Sequence, residues 1–251
     1  MRWIGTAGWA IRREHKALFP GEGPHLARYA ARLNAVEINS SFYRPHRPST
    51  YARWRDETPD AFRFSVKMPR AITHEARLTD AGAALGELLA QCGALREKLG
   101  CILIQLPRCL AFGPGDFFER LRDQYRGPAA LEPRHGSWFA PEADEMLKRH
   151  RIARVAADPA IGPFAPGGYT GFEYWRLHGS PRIYYGEYDD VFLRALSARI
   201  GADAWTIFDN TALGHATRNA LALKRRAGLP TSRDPRPAPA ATSRAARRPA
   251  R

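Results

Sequence analysis

The stretch YWRLHG, residues 174–179, has the apolar ring and chain residues of a buried strand in Tyr174, Trp175 and Leu177. Arg176 and His178 interrupt it two residues apart, so on a strand both point to the same side. An unpaired buried charge costs several kcal/mol. A strand that carries two cationic types on one face is therefore expected to turn them toward a polar site.

The same arrangement recurs along the chain. Short apolar runs occur at RWIGTAG (2–8), AVEINS (35–40), FRFSVKM (62–68), CILIQL (101–106), AALEPR (129–134), RVAADP (154–159), YWRLHG (174–179) and WTIFDNT (205–211). Helical patterns lie between most of them. Leu26, Tyr29, Ala30 and Leu33 share one face, and Leu85, Leu88, Leu89, Cys92, Leu95 and Leu99 form one stripe. The last helix is expected from near Thr211 to a stop at Gly228. Strands alternating with helices imply a parallel sheet, and eight such units imply an α/β fold of the single (β/α)8, TIM-barrel type. One crossover is irregular: PAIGPFAPGGYTGFE, between strands six and seven, has too many prolines and glycines for a helix and predicts a loop. An open doubly wound sheet is the weaker alternative, because no GxGxxG follows any strand.

Composition limits the rest. The 251 residues are 44% hydrophobic, enough for a full core, and no run reaches the roughly 18 apolar residues of a membrane span. The N-terminus lacks a signal-peptide layout. Cys92, Cys101 and Cys109 are odd in number and lack CxxC spacing, which argues against a disulfide framework or zinc site and favours the cytoplasm. The net charge is +14, of which six arginines and one aspartate in residues 230–251 supply +5. That Arg-, Pro- and Ala-rich stretch predicts a disordered basic tail beyond a domain of residues 1–229. The basic body and tail leave a nucleic-acid partner open.

Polar residues cluster near the strands' C-terminal ends, the mouth of a barrel, where active sites are built. They are Glu37 and Asn39, Ser65 and Lys67, Gln105, Glu132, Arg134 and His135, Asp158, Arg176 and His178, then Asp209, Asn210 and Thr211. Loops bring further candidates. His74 is a proton-transfer group, a metal ligand or a loop anchor. Phe42, Tyr43, Arg44 and Trp138 suit a sugar or base ring carrying phosphate, or pack as loop core. Tyr184, Tyr185 and Tyr188 either close over a ligand or pack. Donors for a divalent metal exist in Glu37, His74, Glu132, Asp158, His178 and Asp209, without HxH or HExxH spacing. Three cations, Lys67, Arg134 and Arg176, share their mouth and favour paired networks around an anionic group over a bare metal cluster. No cofactor is predicted, and a divalent metal stays open. Lys67 also suits a Schiff base, although carboxylate neighbours are expected to raise its pKa and oppose one.

The strings GTAGW with LFP downstream, VEINSSFYR, FSVKMPRAITHEARL, LGCILIQLP, EPRHGSWF, YWRLHG and FDNT resemble the YecE-like family, domain of unknown function 72, over about residues 3–227. The resemblance implies a TIM-type barrel and fixes no activity. The chain departs from the family pattern at Asp209, where asparagine is frequent, and at Arg108, where a second proline is. The tail beyond about Gly228 lies outside the resemblance.

Two functions follow. One is an enzyme, of hydrolase, nuclease, isomerase or lyase type, acting on a small anionic, phosphorylated or sugar-like molecule or a nucleic-acid end. Arg176, Arg134 and Lys67 would hold negative charge, with Glu37 or Glu132 as base and His178 or His74 as acid. Asn39, Tyr43, Gln105, His135, Trp138, Asp158, Tyr185 and Asn210 would line the substrate. The other is a barrel that binds a ligand or nucleic acid without turnover.

Overall fold

In the computed structural model, residues 1–19, 21–113 and 115–229 are described. The expected basic tail lies outside them. The strands are β1 (Arg2–Thr6), β2 (Ala35–Ile38), β3 (Arg63–Lys67), β4 (Leu99–Gln105), β5 (Ala129–Glu132), β6 (Ile152–Arg154), β7 (Ala156–Asp158), β8 (Gly167–Gly168), β9 (Glu173–Leu177) and β10 (Ala204–Phe208). Seven α-helices join them: α1 (His25–Ala30), α2 (Pro48–Asp56), α3 (Gly82–Cys92), α4 (Phe117–Gln124), α5 (Pro141–Arg149), α6 (Asp190–Arg199) and α7 (His215–Arg226).

The strands form two hydrogen-bonded sheets, β1-β10-β9-β7 and β2-β3-β4-β5-β6-β8. Every pairing is parallel except β6 with β8. This is an α/β fold built on parallel strands. The sheets approach each other at two places. Ala7 and Glu37 form a parallel bridge, and Gly8 N donates to Glu37 O at 2.9 Å. At the other, β6 and β7 are separated only by Val155, whose N donates to Leu131 of β5 at 2.8 Å.

The close approach of β1 to β2 depends on Gly5. A Cβ there would lie 2.0 Å from the carbonyl oxygen of Ala35. The Tyr29 hydroxyl uses the space, donating to Ala35 O at 3.0 Å and accepting from Thr6 N at 2.9 Å.

Strand residues alternate between two apolar layers, as a sheet covered on both faces requires. On β4, Ile102 and Ile104 join the large core shared with the helices, while Cys101 and Leu103 join a second cluster with Ala35, Ala130, Ala153, Tyr174, Trp205 and Ile207. On β9, Trp175 and Leu177 face the first core, and Tyr174 faces the second. Arg176 shares the Tyr174 side by period two, so its charge enters the inner layer.

Three local differences from the sequence pattern have clear causes. The stripe Leu85–Leu99 is not one helix: α3 stops at Cys92, a 3-10 segment follows, and Arg96 takes φ 53°. The last helix begins at His215, not near Thr211, because Gly214 at φ 80° turns the chain immediately before it. The crossover after β7 has no helix, as expected, but its Gly167–Gly168 pair adds to β6 in antiparallel fashion. Among the described residues, no helix is long and apolar enough to cross a membrane.

Candidate functional site

Arg176 is the centre of a buried charge cluster. Its Nε and Nη2 donate to Glu37 Oε2 and Oε1 at 2.9 and 2.6 Å, a bidentate pair across the inner layer. Nη1 donates to Glu132 Oε2 at 2.8 Å, and Nη2 also reaches Asp209 Oδ2 at 3.1 Å. Period-two alternation from Tyr174 places this guanidinium, and the pairing of Gln105 with Glu132 brings β4 and β5 to it at one level.

His178 completes the cluster. Its Nδ1 lies 3.0 Å from Asp209 Oδ2, and its Nε2 lies 3.0 Å from Glu132 Oε1. Burial pulls its pKa down, but Glu132 and the bond to Asp209 outweigh that and raise it. A protonated His178 donates from both nitrogens, to Asp209 and to Glu132. Burial would raise Glu132, yet His178, Arg176 and Arg134 hold it well below the usual carboxylate range. Asp209 is lowered too, Arg176 and His178 outweighing its burial. Arg176 is held charged against its own burial by Glu37, Glu132 and Asp209.

Of two further groups in the cluster's floor, Ser65 was among the polar residues expected at the strand ends and Tyr174 was not. The Tyr174 hydroxyl lies 3.0 Å from Glu37 Oε2 and 2.8 Å from Ser65 Oγ. Its signal was present in the sequence: Tyr174 stands two before Arg176, but its ring reads as an ordinary strand residue. Ser65 stands two before Lys67 in the same way.

Above the cluster sit groups that are not saturated. Arg134 is ion-paired with Glu132, its Nε 2.8 Å from Oε1, and brings Nη2 within 3.2 Å of His178 Nε2. Gln105 Nε2 donates to Glu132 Oε1 at 3.3 Å. Arg134 and Gln105, with His74, Arg108 and Tyr184, line a cavity of about 400 Å³. Tyr184, at φ 68°, is pinned by its N donating to His178 O and sets its ring edge-on to the imidazole at 6.1 Å. This tyrosine, rather than Tyr185, covers His178.

His74 lies beside Thr73 Oγ1, 2.9 Å from its Nδ1, and edge-on to Phe42. Burial, Lys67 and Arg70 lower its pKa, so the ring is neutral near pH 7. Lys67 is 7% exposed, and its Nζ lies 4.2 Å from the centre of the Phe42 ring. That Nζ forms no hydrogen bond or ion pair with any described residue. Glu37, Asp209 and Glu132 do raise its pKa, as expected, but burial and Arg176 outweigh them and bring it to about 8.

Other expected site residues are placed elsewhere. Trp138 is buried in loop core, donating to Leu110 O at 2.9 Å against Phe112 and Phe118. Asp158 accepts from the Tyr188 hydroxyl at 2.7 Å, outside the Arg176 cluster. Asn210 ties Gly186 O and Asn219 Oδ1, at 2.8 and 2.9 Å, and so fixes the loop after β9. His135 folds onto the turn Gly136–Phe139, its Nδ1 2.9 Å from Ser137 Oγ. Tyr185 lies under the Arg182 guanidinium, and Tyr43 is exposed against the edge of Phe42. Asn39 precedes the turn Ser40–Phe42 with its Oδ1 buried and unpartnered among the described residues.

The acids present do not make a metal centre. Among the described residues, no three His, Cys, Asp or Glu side chains are arranged to hold an ion. Glu37, Glu132 and Asp209 converge instead on the Arg176 guanidinium, which takes the central place a cation would need.

A family model described as "Protein of unknown function DUF72" matches residues 3–243, extending past the point near residue 227 where the sequence resemblance was expected to stop. The UPF0759 protein YecE of Escherichia coli K12 is 32% identical over 144 residues, 53% of this chain and 52% of that protein. The UPF0759 protein YunF of Bacillus subtilis is 27% identical over 179 residues, 64% and 62% of the two chains. The chain thus spans about half to under two thirds of the length of these curated relatives. A crystal structure of a DUF72 family protein from Enterococcus faecalis matches with a TM-score of 0.76 at 21% identity, covering 92% of this chain and 96% of that one. One from Thermotoga maritima matches with a TM-score of 0.74 at 25% identity, covering 90% and 98%.

Proposed function

The chain belongs to the DUF72 family, and we propose that it is an acid–base enzyme for a small anionic substrate held at the C-terminal ends of its strands. The carrying observation is the split between a saturated floor and an unsaturated rim. Glu37, Glu132 and His178 spend their polar atoms on Arg176, Tyr174, Asp209 and one another. They act here as positioning residues. Arg134, Lys67 and His74 lie above them, with a cavity of about 400 Å³ beside His74 and Arg134.

Arg134 supplies the planar donor set that suits a phosphate or carboxylate. The lowered pKa of His74 leaves a neutral ring that can accept a proton, and Lys67, at about 8, can exchange one near neutral pH. The substrate class is phosphorylated or sugar-like. Asn39 and Gln105 would meet its hydroxyls. No step requires a metal in this scheme, because the carboxylates are turned toward Arg176.

The scheme takes the two sheets as one closed (β/α)8 barrel, supported by the Ala7–Glu37 bridge and by the succession of β6 and β7. Residues 1–229 form the catalytic domain and residues 230–251 a basic tail. Three free thiols, on Cys92, Cys101 and Cys109, support a reducing, cytoplasmic setting.

A binding barrel without turnover is the second reading, favoured by how fully Arg176 saturates Glu37 and Glu132. Calorimetry with inorganic phosphate and a panel of sugar phosphates tests the site. Binding that weakens about tenfold or more in Arg134→Ala is expected from the loss of charge-assisted hydrogen bonds. Binding indifferent to Arg134 overturns the site. Turnover of a panel member that survives both His74→Gln and Lys67→Met overturns the roles, and binding with no turnover of any member favours the second reading. A polyanion partner would instead bind with a steep salt dependence that deletion of residues 230–251 reduces.

A further inference from the structure

The chain has five lysines, and four of them have ordinary fates. Lys98 donates to the carbonyls of Arg55 and Thr58 at 2.7 and 2.6 Å. Lys224 donates to Arg32 O at 2.8 Å. Lys148 pairs with Glu145 on the surface, and Lys16 is exposed. Among the described residues, Lys67 alone of the five combines burial with an amine that has no hydrogen bond or ion pair, only the face of the Phe42 ring.

That combination is costly for an ammonium and gains nothing in packing that a methionine would not supply. Nor is it what an anion clamp needs, since guanidinium does that better and this chain uses arginine freely. What lysine has and arginine lacks is a nitrogen lone pair at accessible pH. We infer that Lys67 is a nucleophile that forms an imine with an aldehyde or ketone carrying an anionic group. The inference rests on the anionic site proposed above and names its substrate class.

The step balances without an oxidant or reductant. The neutral amine adds its lone pair to the carbonyl carbon, and the carbonyl oxygen takes up a proton to give a carbinolamine. The nitrogen then loses a proton, the hydroxyl departs as water after gaining one, and the C=N bond forms. Amine, carbonyl and one proton become protonated imine plus water. His74, whose ring packs on the same Phe42 as Lys67, is placed to take the proton from nitrogen and return it to the leaving oxygen. Once formed, a protonated imine would face the Phe42 ring at the distance where the ammonium now lies, 4.2 Å, a favourable setting for a cation. Glu37, Asp209 and Glu132 add a stabilising field from the floor. Arg134 would hold the anionic group. A pKa of about 8 leaves a sizeable neutral fraction at pH 7.5 where ordinary lysines keep almost none.

The test is borohydride trapping on the whole protein at pH 7.5. Glyoxylate, pyruvate and dihydroxyacetone phosphate serve as anionic carbonyl probes and propanal as an uncharged one, with peptide mapping of the adducts. The expected result is an adduct at Lys67, at least about tenfold more abundant than at Lys16 or Lys148 and favouring the anionic probes. Lys67→Arg, checked for an unchanged circular dichroism spectrum, should lose it. Arg134→Ala should lose the preference for anionic probes while leaving Lys67 reactive to propanal. Adducts spread evenly over surface lysines, or undiminished in Lys67→Arg, overturn the inference. Dihydroxyacetone phosphate that raises the melting temperature without any adduct overturns the imine and leaves the anionic site standing. Neither shift nor adduct overturns both.

Discussion

The Lys67 amine lies 4.2 Å from the centre of the Phe42 ring, with no carboxylate within ion-pairing distance among the described residues. Phe42 gives it an attractive face but no proton acceptor, so the ammonium is held by ring electrostatics and a distant field alone. Three carboxylates lie close enough to act on it electrostatically, and Arg176 is bound to all three. The arginine therefore disarms the acids that would otherwise keep the lysine charged.

Reductive methylation with a carbon-13 label should give one dimethyl-lysine signal that titrates near 8, apart from surface lysines near about 10.4. The sign for stability follows. Lys67 has a lower pKa folded than unfolded, so between about 8 and about 10.5 the unfolded chain binds more protons, and this group makes stability rise with pH. Lys67→Met should remove that rise and stabilise the protein at pH 7 by on the order of 2 kcal/mol. A Lys67 signal titrating with the surface lysines would contradict the burial account.

His178 works in the opposite direction. Its folded pKa is raised, so its contribution is complete below the unfolded value of about 6.5 and is lost as pH climbs through the folded one. Urea unfolding followed from pH 6 to 9 should show this loss, and His178→Asn should flatten it. Glu132 and Asp209 are lowered, so their contribution is present above about pH 4 and is lost as pH falls through their folded values.

Arg176→Met should cost about 3–5 kcal/mol, because it leaves Glu37, Glu132 and Asp209 facing one another out of water. The urea midpoint reads this directly. A loss under about 1 kcal/mol would mean the carboxylates find water or protons that the packed cluster does not provide.

Tyr174→Phe removes one hydroxyl from Glu37 and Ser65, both fully buried, and should cost about 1–3 kcal/mol in the same measurement. The cavity bounded by His74 and Arg134 should keep its anion affinity, since Tyr174 lies beneath the cluster.

Gly5→Ala should be among the most damaging small changes in the chain. The added methyl would meet backbone, 2.0 Å from Ala35 O, and could only be accommodated by parting β1 from β2. A loss of about 1–3 kcal/mol or more is expected by urea unfolding. Gly93→Ala is the control: it has open space around the Cβ and a helical φ of −57°, so a gain of about 0.4–1 kcal/mol is expected.

The strands were legible because their apolar runs are short and end in polar pairs; Glu37, Lys67, Glu132 and Arg176 could be put on one side by counting residues in twos. What counting in twos cannot show is who holds whom. Arg176 and Lys67 looked alike as cations, yet one is saturated by carboxylates and the other is bare, a difference set by strand stagger and by Phe42 arriving from the next loop. Loop residues were less legible still. Trp138 and Asn210 follow strand ends just as Arg134 does, but their side chains turn into loop packing, a direction fixed by Leu110 and by Gly186 and Asn219 from distant segments. Tyr174 reads in the sequence as an apolar strand residue, because a tyrosine's apolar body hides a polar tip.

The floor of the cleft also constrains how such a protein could change over time. Arg176, Glu37, Glu132 and His178 are chemically interdependent, so replacing any one alone strands the charges of the others. A lineage exploring new substrates by single steps meets a stability barrier at the floor and little resistance at the rim, where His74, Arg108 and Tyr184 answer to few partners. Divergence within such a scaffold should therefore run through its rim, with the floor inherited as a block or exchanged as one.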